Sequence, residues 1–146
     1  MEQVVLVDHA GKEIGVEEKL TVHQKGLLHR AFSIFIFNSK GEVLLQRRAE
    51  GKYHSGGLWS NACCSHPRPG ETVLEAAHRR LQEEMGFDCG LKEVFTFTYK
   101  TPVSKDLIEH EFDHVLIGKH DSAPELNSEE ADDWRFENPS TLLQKL

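Results

Sequence analysis

Residues 59–71, Trp-Ser-Asn-Ala-Cys-Cys-Ser-His-Pro-Arg-Pro-Gly-Glu, bring two cysteines, a histidine, two prolines and a glycine together between a strand-like run and a helix. Loops that join a strand to a helix commonly carry chemistry. Cys64 and His66 stand two apart, so in an extended segment their side chains share one face. A thiol beside an imidazole that binds metal or charge suits acid/base or nucleophilic work. The competing reading makes Cys63 and Cys64 small apolar core residues and His66 a loop residue. A second constellation lies in residues 107–118, where Glu109, Glu111 and Asp113 point to one side with Val115 and Ile117. Carboxylates at i and i+2 lie about 7 Å apart on a strand face, and they repel unless a cation sits between them. Because that face continues into Val115 and Ile117, the carboxylates are expected to enter a pocket rather than solvent. Arg47, Arg48 and Lys52 precede the Cys/His loop. They form either a solvated strand end or a phosphate clamp. His23 and His29, taken singly, read as exposed loop histidines.

The elements that must hold these groups follow from periodicity. Residues 3–7 read as a strand, and residues 13–16 can pair back after a glycine-centred turn; residues 20–28 show little period. Residues 30–38 are apolar, rich in β-branched and aromatic side chains, and predict a buried strand. A hairpin at 38–42 returns through residues 43–48, and residues 49–57 form a polar loop. Residues 71–85 predict a helix closed by Gly86. Leu74, Ala77, His78, Leu81 and Met85 would share its inner face. Glu83 would lie nearly opposite, and Glu84 roughly 70° from the face's centre, at the core's edge. Arg80 sits one turn before Glu84, the usual spacing of a helix-surface ion pair. Residues 91–101 and 107–118 predict two strands joined by a loop at 102–106. Residues 122–133 read as an acidic loop, residues 133–137 as a short last strand and residues 139–146 as the start of a helix.

Composition narrows the class. A chain of 146 residues with 38% hydrophobic and 28% charged residues is expected to form one domain with a single sizeable core. The net charge of −7 argues against a general nucleic-acid binder. Three cysteines, two of them adjacent, imply no disulfide framework and fit a reducing cytoplasm. No run approaches the length of a membrane helix, and the first residues lack the pattern of a signal peptide.

Glu71, Arg79, Glu83, Glu84 and Gly86 give E-x7-R-x3-EE-x-G. This resembles the C-terminal part of the Nudix box, G-x5-E-x7-R-E-U-x-E-E-x-G-U. Ser65 stands in place of the leading glycine, and Arg80 in place of the glutamate after the arginine, a metal ligand in Nudix hydrolases. Charge reversal at that ligand argues against ordinary Nudix hydrolysis. The departure matches a branch of the superfamily. With Glu18-Lys19, His23, residues 29–32, residues 47–49, Lys52, residues 59–67, Gly70-Glu71, Arg79-Arg80, Glu84-Met85-Gly86, Tyr99 and Glu109-His110-Glu111, the chain looks like the type 1 isopentenyl-diphosphate isomerases.

The resemblance implies an α/β (α+β) fold, a Nudix-type α/β/α sandwich with a mixed central sheet, as a single domain over residues 1–146. It implies that His23, His29, His66, Glu109 and Glu111 hold one divalent metal, for which mixed nitrogen and oxygen ligands suit Mn²⁺, Zn²⁺ or Mg²⁺. A second ion, Mg²⁺, would bridge the substrate diphosphate to Glu84. Cys64 and Glu111 would be the acid/base pair, with Tyr99 and Glu109 assisting. Lys19, Arg48, Lys52 and Arg80 would hold the diphosphate. The implied partner is a small prenyl diphosphate, with no nucleic acid or membrane, in a cytoplasmic monomer or weak homodimer. Family members continue past the last strand into a helix with an aromatic residue over the site. An open cavity is therefore expected here, with Phe35, Phe97 or a partner subunit available to cover it. Two alternatives stay open: a metal-dependent Nudix hydrolase of another diphosphate, signalled by phosphate or nucleoside monophosphate release, and a binder of prenyl diphosphate or metal without turnover. Cys63 remains an alternative to Cys64.

Overall fold

The computed structural model describes residues 2–49 and 59–140. Its centre is β3 (His29–Phe37), whose Ala31, Phe32, Ile34 and Ile36 are essentially inaccessible to solvent. β8 (Leu107–Lys119) runs parallel to β3 along its whole length, from His29 opposite Glu111 to Phe37 opposite Lys119. With that edge taken, three antiparallel strands share the other: β1 (Gln3–Val7) at Leu6, β6 (Cys63–Ser65) in the middle, and β4 (Val43–Arg48) at the far end. The remaining strands pair outward antiparallel. β2 (Glu13–Glu18) adds to β1, β5 (Trp59–Asn61) and β9 (Ala131–Glu137) flank β4, and β7 (Leu91–Ser104) adds to β8. The sheet is mixed, as expected.

Strand alternation separates two faces. Phe32, Ile34 and Ile36 join Leu44, Ala62, Cys63 and Leu116 in a core closed by α2 (Val73–Met85) through Ala76, Ala77, Leu81 and Met85. The opposite face carries His29, Ser33, Glu111 and Asp113, and α1 (Lys19–Lys25) brings His23 to it. Helices therefore cover both faces.

Several local expectations change. The segment at 20–28 contains α1, a seven-residue helix that ends on Gly26 with φ +68°, a left-handed cap that suits glycine. On α2 the inner face is rotated from the one expected. Leu74 is 46% exposed, whereas Ala76 is buried and Glu84 is only 3% exposed. Glu84 thus lies inside the core rather than at its edge. β7 runs through Pro102 to Ser104 instead of stopping at residue 101. Among the described residues it pairs only with β8, where Pro102 stands opposite Ile108, and an edge strand is where a proline is tolerated. Ile117 faces partly outward at 37% exposure while its neighbour Leu116 is fully buried. The polar loop expected at 49–57 falls almost wholly outside the described residues, as does most of the helix expected at 139–146.

A capping box starts α2: Thr72 Oγ1 accepts from the Glu75 backbone N–H at 3.1 Å, and the Thr72 N–H donates back to Glu75 at 2.9 Å. Glu71 clamps the preceding loop to this helix. It accepts from Arg79 Nε and Nη2 at 2.7 and 2.9 Å, and from the Arg68 backbone N–H at 2.8 Å. The Arg79 guanidinium holds the Glu71 carboxyl below its ordinary value. A bidentate pair with partial solvent access contributes about 1 kcal/mol. Because the folded-state value is the lower one, this stability is complete above the unfolded carboxylate value of about 4.3 and is lost as pH falls through the folded value. Glu71→Gln is therefore expected to lower urea-unfolding stability by about 1 kcal/mol at pH 7, with the gap from wild type narrowing as pH falls below about 4.3.

Candidate active site

α1, β3 and the segment after β6 deliver three imidazoles to one point. The His23–His29 and His29–His66 ring centroids lie 5.2 and 4.9 Å apart. β8 adds Glu111, whose Oε2 lies 3.4 Å from His29 Nε2 and 3.1 Å from His66 Nε2. The four ligand atoms lie within 4.8 Å of one another. Backbone carbonyls fix two of the rings: His23 Nδ1 donates to Lys19 O at 2.8 Å, and His29 Nδ1 to Leu27 O at 3.0 Å. With Nδ1 the donor, Nε2 carries the lone pair. The buried His29 Nε2 lone pair then faces a carboxylate oxygen, two acceptors looking at each other. A divalent cation resolves that conflict, and three nitrogens with one carboxylate form a chemically suitable donor set.

Protonation follows from burial and neighbours. Desolvation pushes His66 down to about 4 and lowers His23, which keeps both imidazoles neutral and available as ligands. Burial works against charge on Glu111, and only hydrogen bonds from His29 and His66, when their facing nitrogens carry a hydrogen, would outweigh it and hold its carboxyl below the ordinary range. Tyr99, opposite Glu111 on β7, places its hydroxyl 2.7 Å from Glu111 Oε1 and 2.6 Å from Glu109 Oε1. A phenol has one hydrogen, so it donates to only one of the two. Desolvation raises Glu109, with the Glu111 charge adding to it.

A cavity of about 200 Å³ opens beside this cluster. Cys64, His66, Tyr99, Glu109 and Glu111 line it, together with the cations Lys19, Arg48 and Arg80. Lys52 lies outside the described residues. Register separates the two adjacent cysteines. Cys63 pairs with Ile34 and turns into the core, whereas Cys64 pairs with Ser33 and turns to the cavity. Desolvation pushes the Cys64 thiol up to about 12, with the Asp113 and Glu111 charges working the same way.

Glu84 stands apart from the histidine cluster and does not line the cavity. Its Oε2 accepts from Arg80 Nη2 at 2.9 Å and from Cys63 Sγ at 3.1 Å, and its Oε1 accepts from Gln46 Nε2 at 3.4 Å. Glu109 is not one of the four clustered ligands; it lines the cavity, with its Oε1 2.6 Å from the Tyr99 hydroxyl.

Sequence reasoning did not single out Ser33 or Asn61, and it gave Asp113 no role. Ser33 donates to Asp113 Oδ2 at 2.8 Å, and Asp113 is pushed up to about 7 by desolvation. The available signal was a hydroxyl in the middle of an otherwise apolar strand.

Residues 27–146 match the family model described as the NUDIX domain. The fold agrees: a crystal structure from Deinococcus radiodurans superposes with a TM-score of 0.82 at 19% identity, covering 99% of this chain and 88% of that one. A MutT protein from Methanosarcina mazei gives 0.69 at 20% identity over 80% and 81% of the two chains. Together these define a Nudix-fold protein. Curated relatives are more specific. Isopentenyl-diphosphate Delta-isomerase 2 of Aromatoleum aromaticum is 59% identical over 135 residues, 92% of this chain and 71% of that protein. Isopentenyl-diphosphate Delta-isomerase of Serratia proteamaculans is 59% identical over 144 residues, 99% and 80% of the two. The chain belongs to the isopentenyl-diphosphate Delta-isomerase family of Nudix-domain proteins.

Proposed function

We propose that the protein, acting as a single domain over residues 1–146, interconverts isopentenyl diphosphate and dimethylallyl diphosphate by adding a proton to one carbon and removing one from another. The observation that carries this reading is the placing of Cys64 and Glu111. They come from the strands on either side of β3, on the same sheet face, and open onto one cavity. A five-carbon chain lying over β3 would present opposite sides to the two groups. The terminal methylene gains a hydrogen, the double-bond electrons leave a tertiary cation-like centre, and loss of a proton from the neighbouring carbon closes the new double bond. Such chemistry needs two acid/base groups in a site with little water. Tyr99 and Glu109, hydrogen-bonded to each other beside Glu111, would shuttle its proton.

Lys19, Arg48 and Arg80 at the cavity wall support diphosphate binding, and Lys52 is assigned with them. His23, His29, His66 and Glu111, with Glu109 as the fifth ligand, would hold a divalent metal, Mn²⁺, Mg²⁺ or Zn²⁺. When bound, that ion supplies positive charge that sets the protonation of Glu111. Mg²⁺ with the diphosphate is the second cofactor. Glu84 would reach it only after exchanging its Arg80 contact. No helix among the described residues is long and apolar enough to cross a membrane. The reading places the protein in the cytoplasm as a monomer or weak homodimer.

The test is incubation with isopentenyl diphosphate and Mg²⁺ in deuterated water, followed by NMR. Deuterated dimethylallyl diphosphate is expected from wild type, with turnover reduced by about 10²–10⁴-fold in Cys64→Ala. Intact isopentenyl diphosphate with no deuterium uptake would overturn the isomerase reading.

A further inference from the structure

We infer that Asn61 is a positioning residue for Cys64: its carboxamide oxygen holds the thiol hydrogen and fixes the sulfur at the cavity wall. The inference rests on the isomerase reading above.

Asn61 ends β5. Its Nδ2 donates to Ile34 O at 2.9 Å and to Cys63 O at 3.1 Å. A carboxamide has two N–H donors and one oxygen, and two carbonyl partners consume both donors. The orientation of the amide is thereby set by its network. Its Oδ1 is left 3.1 Å from Cys64 Sγ. An amide oxygen accepts only, so the sulfur must donate.

The other neighbour of the sulfur has the same character. Ser33 Oγ lies 3.7 Å from it, and the Ser33 hydrogen is committed to Asp113 Oδ2 at 2.8 Å. Both partners therefore present a lone pair toward the thiol hydrogen. Asn61 is not among the residues lining the cavity, so it acts through Cys64 rather than on the substrate. Rotation about the Cβ–Sγ bond swings the hydrogen from Asn61 toward the cavity while the sulfur stays in place. This arrangement also gives the asparagine in the Trp-Ser-Asn-Ala-Cys-Cys run a chemical reason.

The test combines kinetics with infrared spectroscopy. Asn61→Ala is expected to lower kcat for isopentenyl diphosphate by about ten- to a hundredfold through loss of orientation, with KM within about twofold because the diphosphate contacts are untouched. The S–H stretching band, identified as the band absent in Cys64→Ser, is expected at a lowered, hydrogen-bonded frequency in wild type and at the free-thiol frequency in Asn61→Ala. Removing the carboxamide also leaves two carbonyls without their donor, and the variant can lose stability. The wild-type band is then decisive by itself. A wild-type band at the free-thiol frequency, or a folded Asn61→Ala with unchanged kcat, would overturn the inference. A wild type that shows the lowered band but no isomerisation would sink the isomerase reading and leave the thiol's hydrogen bond standing.

Discussion

Glu111→Gln is expected to yield a folded protein that has lost both its divalent cation and its turnover. One oxygen of this carboxylate meets His29 and His66 at 3.4 and 3.1 Å, and the other lies 2.7 Å from the Tyr99 hydroxyl oxygen. The amide keeps the shape and removes the charge. It also turns one oxygen into an N–H₂ that faces either imidazole lone pairs or a phenol. Loss of an acid/base group alone is worth about 10²–10⁴-fold in rate, and loss of the cation from a ligand set reduced to three imidazoles adds to it. Metal content after gel filtration, read by mass spectrometry beside the NMR assay, separates the two effects. A retained cation with lost turnover would confine Glu111 to proton transfer. Full turnover would remove it from the mechanism.

The largest stability effect is expected at Arg80. Its guanidinium lies 2.9 Å from Glu84, 2.8 Å from Glu83 and 3.2 Å from Glu130, and Glu84 is buried in the core. Removing one member of a buried ion pair strands the other and costs about 3–5 kcal/mol. Arg80→Met keeps the stem's packing, so a loss of about 3 kcal/mol at pH 8 is expected in urea unfolding. Desolvation already raises the Glu84 carboxyl, with Arg80 opposing it, and without Arg80 it rises further. A raised folded-state carboxyl binds its proton more tightly than the unfolded chain does. Stability of the variant therefore increases as pH falls toward about 4.3, and the gap from wild type narrows. Adding Glu84→Gln should restore most of the loss. A loss below about 1 kcal/mol with no pH dependence would mean that the pair is not what makes burial of Glu84 tolerable.

These two arginine and glutamate positions show what the sequence could and could not convey. Spacing placed Arg80 and Glu84 on one side of α2. It did not place Glu84 in the core, because a face drawn through Leu74 and His78 follows the apolar residues, whereas the real face follows small Ala76 and Ala77 against the sheet. Long strands were legible from alternation, and β3 was nearly complete in residues 30–38. α1 was not, since seven residues give too little period, although Gly26 after Lys25 was a usable stop signal. The choice between Cys63 and Cys64 needed the register of β6 on β3, which a three-residue strand does not encode. His23 read singly as a loop residue, yet it is fully buried. Its neighbours His66 and Glu111 are remote in sequence, so what buries it is invisible until the chain is folded.

The parallel ladder that sets His29 directly beside Glu111 also has a kinetic side. A parallel pair with so long an intervening chain closes late, because its loop entropy must be spent before the contacts repay it. The cluster of His23, His29, His66 and Glu111 is split across that ladder, so it assembles only once β8 has docked. An ion that binds the assembled site and not the open chain stabilises the native state by RT ln(1 + [L]/Kd). It would act mainly by slowing the undocking of β8 rather than by speeding its arrival. Chelation would then appear first as faster unfolding, with the refolding rate little changed.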